Sequence, residues 1–465
     1  MKKIRIGSGA GYAGDRIEPA MELIQKGNLD YIIFECLAER TIALAQQEKM
    51  KNPDKGYNHL LKYRMDKVLS LCVENNVTLI TNMGAANPLA AAKIVKHIAE
   101  EKGISNLKIA AVSGDDVYPN IGKYMECTII ETGVPLKEVK PSIISANAYI
   151  GISGIVTALR EGADIVITGR VSDPSLVVAP LKHEFGWQDT DYELLGKGTA
   201  AGHLLECAAQ VTGGYFADPG YKDVPDLWNV GYPIAEVQEN GDFFLTKLED
   251  SGGMVTAATV KEQVVYEIHD PTRYLTPDVI ADFSQIEVIE KETNQVHIKG
   301  VSGKEKSGYY KTSIGYLDGY IVEAEISYGG SGCLGRSRLA EEVVRHRLIQ
   351  AKIEIQELRI DHIGSNSLYG SSISAPLYDR ERLSEVRLRV AARTADEEAA
   401  IVIGQEVEAL YTNGPAGGGG VRVSVQEVVS IASILIPSED ITIDVTYEEV
   451  DKIETQASHS LKIRG

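Results

Sequence analysis

The fold of this 465-residue chain is limited above all by a series of short β-rich runs in its first half that are apolar almost throughout. They are Ile4-Arg5-Ile6-Gly7, Tyr31-Ile32-Ile33-Phe34, Thr78-Leu79-Ile80-Thr81, Ile109-Ala110-Ala111-Val112 and Ile165-Val166-Ile167-Thr168, and they run into turn-forming or polar residues: Ser8, Glu35, Asn82, Ser113 and Gly169. A strand with one face in water alternates apolar and polar residues, whereas a run that is apolar on both faces suits a strand covered by helices on both sides. Helix-compatible stretches separate the runs, at Ala38–Met50, Leu60–Glu74, Leu89–Lys102 and Ser153–Glu161. The alternation predicts βαβ units and an α/β region, residues 1–215, built on a doubly wound, mainly parallel sheet. Ligands of such sheets gather outside the C-terminal ends of the strands, so the residues closing each run are the first candidates for a site.

After Gly213-Gly214 the pattern changes to shorter β-like stretches, including Val264–Ile268 and Ile321–Ile326, with many turn residues between them. A helix over Ser337–Ala351, a strand at Glu385–Val390 and a helix around Asp396–Leu410 complete an α+β region, residues 216–465, with antiparallel or mixed strands, expected to pack against the first.

Composition narrows the function classes. Hydrophobic residues make up 44% and charged residues 24%, a globular balance, and no run of about eighteen apolar residues offers a membrane span. The N-terminus enters a strand pattern without a signal-type apolar segment, which predicts a mature, cytoplasmic protein. Five cysteines form neither a CxxC pair nor an even disulfide framework, so reduced thiols are expected. A formal charge of −19 repels polyanions and favours a small-molecule partner over nucleic acid.

The strand-end motifs carry the candidate chemistry. Gly7-Ser8-Gly9-Ala10-Gly11-Tyr12-Ala13-Gly14-Asp15-Arg16 follows the first run. Gly9, Gly11 and Gly14 permit a tight loop whose amides, with Asp15 and Arg16, are candidates to bind an anionic substrate group, and the alternative is a structural strand-to-helix turn. The spacing departs from the dinucleotide fingerprint, and no clear acid ends the following strand. Glu35 ends the second run as a proton-transfer candidate, with a salt-bridged helix start as the plainer reading. Asn82 is placed to orient a carbonyl or carboxylate, while Asn87 suits a helix cap. Asp115 and Asp116 are the weakest candidates, as oxygen ligands for a divalent metal such as magnesium, against solvation or capping. In Gly169-Arg170-Val171-Ser172-Asp173, Arg170 offers an anion clamp, and Asp173 orients it or moves a proton. His203 and Glu206, three residues apart, share a helix face and suit an oriented base or a structural hydrogen bond.

Seven ordered segments extend this reading over most of the chain: GSGAGYAGDR, LDYIIFECLAERT, TNMGAANP, TGRVSDPSLVVAPL, EFGW, GHLLECAAQVTGG and TNGPAGGGG. Together they resemble the acyclic terpene utilisation (AtuA) family. The resemblance implies bacterial breakdown of acyclic terpenoids or branched acids, largely through coenzyme A esters, and supplies no catalytic assignments. Relatives often carry, in an extra region or a companion protein, an Arg-Ser-Gly-Asp-Lys-Gly-like motif that this sequence lacks, which implies either independent action or a separately encoded small partner.

The leading expectation is a hydratase, dehydratase or related lyase acting on a carboxylate or acyl-CoA, with a homo-oligomer as its working form. A noncatalytic metabolite-binding subunit and a nucleotide-dependent oxidoreductase are the alternatives.

Overall fold

The computed structural model describes residues 2–374 and 383–451. The chain divides into two compact units, one comprising Met1–Gly315 with Ile431–Gly465 and the other Tyr316–Ser430.

The first unit is built on a ten-stranded sheet in the order β11-β12-β8-β7-β1-β2-β3-β6-β4-β18. Its middle comprises β1 (Lys3–Ala10), β2 (Tyr31–Phe34), β3 (Thr78–Thr81), β4 (Leu107–Ser113) and β6 (Ile165–Thr168), which pair in parallel. The five apolar runs are thus the parallel strands. β5 (Ile143–Ala148) lies outside this path, and β6 enters between β3 and β4. Antiparallel strands extend the sheet at both sides: β7 (Ile234–Gln238), β8 (Phe243–Thr246), β11 (Glu287–Glu292) and β12 (Gln295–Lys299) on one, β18 (Asp444–Val450) on the other. Near residue 215, therefore, the chain changes from parallel to antiparallel pairing within one sheet, while the compact units divide at residues 315 and 430.

Helices cover both faces of the parallel strands. α1 (Glu18–Lys26), α3 (Leu61–Asn75) and α4 (Pro88–Glu101) bury their apolar sides with Ile32, Phe34, Leu79, Ile109 and Ile167, whereas α2 (Glu39–Lys51) packs on β5. α5 (Ser153–Arg160), α6 (Ser175–Phe185) and α7 (Tyr192–Glu206) lie against the other face. α7 also meets a small antiparallel sheet of β9 (Tyr274–Leu275), β10 (Ile280–Asp282) and β13 (Ser302–Lys304).

One expected strand is a helix end. Val264 and Val265 belong to α8 (Ala257–Val265), and the chain turns from Tyr266 onward. The β-branched composition is overruled by an N-cap, in which the Thr256 hydroxyl accepts from the Thr259 amide at 3.3 Å, and by burial of Val260 and Gln263 on one helix side.

The second unit has a βαββαβ order. Its strands are β14 (Tyr309–Gly329, entering from the first unit), β15 (Glu357–Ile363), β16 (Glu385–Thr394) and β17 (Gly418–Pro437), arranged β15-β16-β14-β17. This is the split-βαβ arrangement of ferredoxin-like folds. α9 (Cys333–Ala351) and α11 (Glu397–Glu408) pack on alternate residues of β14 and β16, among them Val322, Ala324, Ile326, Leu388 and Val390, while the short α10 (Gly370–Ser374) stands apart from that layer. Inside it the Ser337 hydroxyl meets His362 Nδ1 at 2.8 Å, and His362 Nε2 meets Glu341 at 2.9 Å. Ser337 is wholly buried, so this chain of polar groups ties α9 to β15 instead of presenting a nucleophile.

Candidate functional site

The loops after β2 and β6 deliver Glu35, Arg170 and Asp173, and the last turn of α7 supplies Glu206. All four belong to the first unit.

Arg170 stands at the centre and is 1% exposed. Its Nη1 donates to the Leu37 carbonyl, its Nη2 donates to Asp173 at 2.5 Å, and its guanidinium lies over the Tyr149 ring at 4.0 Å. Nε is buried without a partner. Arg170 was expected to clamp an anionic substrate, yet its terminal nitrogens are engaged within the protein. The backbone amide of Arg170 donates to Asp115 at 3.0 Å, which fixes the turn.

Glu35 is braced from two directions. Its carboxylate accepts from the Leu37 amide at 3.0 Å and from the Asn82 side chain at 2.8 Å, while Asn82 accepts from the Cys36 amide at 2.8 Å. Asn82 therefore holds Glu35, and its two amide ends are both in use. Burial pushes the Glu35 carboxyl up to about 7; Arg170, the Leu37 amide and Asn82 pull the other way, and Glu206 adds repulsion.

Asp173 is raised well above the ordinary carboxylate range by burial, against Arg170, with repulsion from Glu35, Glu206 and Glu39. Its side chain nonetheless keeps 33% of its surface exposed, so it marks the open side of the cluster. Glu39 has the opposite shift. Burial alone would raise it, but the Tyr149 hydroxyl that donates to it, with Arg170 and Lys311, holds it down at about 2.

His203 and Glu206 do share a face of α7, at 2.9 Å between Nδ1 and the carboxylate. The other ring nitrogen meets the Gln263 carbonyl at 2.8 Å and donates to it. Both nitrogens are thus engaged, and His203 has none left for a substrate. Burial would lower the His203 pKa, but Glu206 and the Gln263 carbonyl outweigh it and raise it above the ordinary imidazole value. Glu206 is itself raised by burial, and its second oxygen is buried without a partner. Tyr274 and Phe283 line the His203 ring at 5.6 and 5.9 Å.

Other candidates lie elsewhere or serve the fold. A Cβ at Gly9 would sit 2.5 Å from the Phe34 ring, one at Gly11 would sit 2.4 Å from the Cys207 backbone, and one at Gly14 would meet the Tyr12 ring at 2.6 Å. Close packing against buried groups accounts for Gly9 and Gly11, whereas Gly14 faces only the exposed Tyr12 side chain. Asp15 accepts the Gly11 amide at 2.8 Å, and the buried Arg64 donates to the Ala13 and Asp15 carbonyls at 2.9 and 3.0 Å. Arg16 points to the Trp228 carbonyl at 3.1 Å and to Glu18 at 3.6 Å. The loop borders the cluster, since the Ala10 carbonyl accepts the Glu35 amide at 3.0 Å and a Cβ at Gly11 would lie 2.5 Å from the Glu206 carbonyl oxygen, whereas Arg16 is turned to Trp228 and Glu18.

Asp115 and Asp116, the metal candidates, diverge. Asp115 is buried against the Arg170 amide and Asn147, and a Cβ at Gly169 would lie 2.2 Å from it. Asp116 instead accepts the Tyr118 amide at 3.2 Å and faces Lys49 at 3.8 Å. Among the described residues no three His, Cys, Asp or Glu side chains converge as metal ligands. Asn87 caps α4 as expected, accepting from the Ala90 amide at 3.3 Å.

Sequence reasoning missed Tyr149, Tyr274 and Lys311. Tyr149 follows β5, a strand that pairs with β14 and stands off the parallel sheet, and Tyr274 sits in a two-residue strand. Neither leaves a periodic signal.

All five cysteines are free, and no helix among the described residues is long and apolar enough to cross a membrane. A family model described as acyclic terpene utilisation family protein AtuA matches residues 4–447, a span that contains every residue of the cluster. Comparison with curated proteins gives no match.

Proposed function

Because this chain belongs to the acyclic terpene utilisation (AtuA) family, whose role lies in acyclic terpene utilisation, we propose that it moves protons on a branched acyl substrate, a carboxylate or its coenzyme A thioester, in a hydration, dehydration or related lyase step. The observation that supports this reading is the gathering of three carboxyl groups with raised pKa, Glu35, Asp173 and Glu206, around one buried arginine.

Removing water from an acyl chain takes a proton from carbon beside a carbonyl and delivers one to a departing hydroxyl, and adding water reverses both transfers. One base and one acid must therefore be ready near neutral pH. Ordinary carboxyls are almost wholly ionised there, but burial brings Glu35 to about 7, where both forms are populated. In this reading Glu35 exchanges the substrate proton and Asp173, at the open side, relays protons to solvent. Arg170 keeps the cluster from collecting too much negative charge, and Asn82 fixes the Glu35 rotamer.

The test is exchange in deuterium oxide. The N-acetylcysteamine thioester of 3-methylbut-2-enoic acid is incubated with the chain and its deuterium content read by mass spectrometry. Enzyme-dependent incorporation is expected, falling about 10²- to 10⁴-fold in Glu35→Gln. No incorporation with the parent chain, or undiminished incorporation with the variant, rejects the reading.

A further inference from the structure

We propose that the group entering this cluster is uncharged, an acyl thioester, an amide-like carbonyl or an alcohol, and that free carboxylates are turned away. The inference rests on the cluster being the substrate site and narrows the substrate class.

Among the described residues, the three cations that face the cluster each have an anionic or carbonyl partner. From the loop after β6, Arg170 gives Nη1 to the Leu37 carbonyl and Nη2 to Asp173, and its face lies on Tyr149. From α7, His203 is closed between Glu206 and the Gln263 carbonyl. From β14, Lys311 meets Glu39 at 3.3 Å. Against these three stand Glu35, Glu39, Asp173 and Glu206, with Glu267 within electrostatic reach of Glu206, and two phenols, Tyr149 and Tyr274. Above about pH 7, where Glu35 is ionised beside Glu39, an incoming carboxylate would be a further negative charge in a half-buried setting where repulsion is poorly screened.

Two unpartnered atoms point to what does fit. Glu206 is 8% exposed and its Oε2 is buried with no hydrogen-bond partner, and Arg170 is 1% exposed with Nε likewise unpaired. Buried polar groups are nearly always satisfied, so a polar ligand atom is the natural complement. A protonated Glu206 would donate to a neutral carbonyl oxygen, and an ionised one would accept from a hydroxyl or amide; neither state requires the ligand to bring charge.

The experiment uses the full chain and a pair of probes with nearly the same shape, 3-methylbut-2-enoate and 3-methylbut-2-enamide, with the N-acetylcysteamine thioester as a third. Affinities are measured by calorimetry at pH 8 for the parent chain, for Glu35→Gln, whose parent carboxyl is ionised at that pH, and for Glu206→Gln. The amide and thioester are expected to bind at least about tenfold more tightly than the acid, and removing one carboxylate should narrow that gap about tenfold. Equal or tighter binding of the acid, a gap unchanged in both variants, or binding of none of the three probes overturns the proposal. Discrimination by charge without deuterium exchange would leave it standing while rejecting the proton-transfer reading. Exchange accompanied by a preference for the free acid would do the reverse.

Discussion

A carboxyl that holds its proton to neutral pH inside a fold couples stability to pH in a definite direction. Glu35 titrates at about 7 in the folded chain against an ordinary value of 4.5, so the native state favours its protonated form. Its contribution is complete below pH 4.5 and is lost as pH rises through 7, and Asp173 and Glu206 act in the same sense. Urea denaturation between these two pH values should show the parent chain losing stability, and Glu35→Gln losing less by on the order of 1–3 kcal/mol. Parallel curves for the two proteins would mean that Glu35 titrates normally. Glu39 runs the other way. Held at about 2, it contributes above its ordinary 4.5 and loses that contribution only as pH falls through 2, outside this window. His203 is a second residue whose placement changes its expected role. Sequence suggested a base; with both nitrogens engaged it joins α7 to the Gln263 carbonyl and compensates Glu206. His203→Ala leaves a buried carboxylate without its cation and a carbonyl without its donor, and a loss of about 2–4 kcal/mol in chemical denaturation is expected. A variant as stable as the parent would refute that bracing role.

Whether Glu206 reaches the cluster is decided by how closely α7 approaches its neighbours, and three glycines on this helix allow it. A Cβ at Gly196 would lie 2.3 Å from the Ser302 carbonyl oxygen, one at Gly198 would lie 3.1 Å from the Trp187 ring, and one at Gly202 would lie 2.7 Å from the Pro174 backbone. Gly202 matters most, because Pro174 follows Asp173. Gly202→Ala gains helix propensity worth about 1 kcal/mol, yet the obstacle is backbone and cannot rotate away. The expected outcome is a net loss of about 1–3 kcal/mol in thermal or urea unfolding, with proton exchange reduced more strongly than by the stability change alone. An unchanged exchange rate would show that α7 has slack at this point. The same element marks the limit of what sequence discloses. The parallel strands were legible because burial on both faces demands apolar runs, and the strand ends directed attention to Glu35, Arg170 and Asp173, which the fold brings near one another. The helix face joining His203 to Glu206 was legible from spacing alone. Val264–Ile268 misled because β-branched residues in a short run do not reveal the Thr256 cap that turns them into a helix end. The loop glycines at Gly9 and Gly11 misled because a glycine needed to admit Phe34 or Cys207 is indistinguishable in sequence from one needed to admit phosphate. Tyr149 follows a strand whose position depends on pairing with β14 far along the chain, and Tyr274 lies in a two-residue strand paired with the nearby β10, too short to leave a pattern.

For the whole molecule, the formal charge of −19 sets a long-range repulsion against which local ion pairs act over short distances. The two respond differently to salt. Repulsion spread over the molecule is felt across about 30 Å at 0.01 M ionic strength and only about 8 Å at 0.15 M, so added salt removes much of it. Exposed pairs such as Lys62–Asp66 and Lys137–Glu126 contribute little in water and have little to lose to screening. The central pairs, Arg170–Asp173 and His203–Glu206, each have a buried member and are screened far less. Raising sodium chloride from about 0.01 to 0.15 M should therefore raise the midpoint of thermal unfolding by about 1–3 °C. The deuterium exchange rate at fixed pH should change less than twofold, because the charges that set the titration of Glu35 lie inside the protein and not in the ion atmosphere. A falling midpoint would show that surface pairing outweighs net repulsion. A strongly salt-dependent exchange rate would place the reacting carboxyl nearer to bulk solvent than its bracing by Asn82 and the Leu37 amide implies.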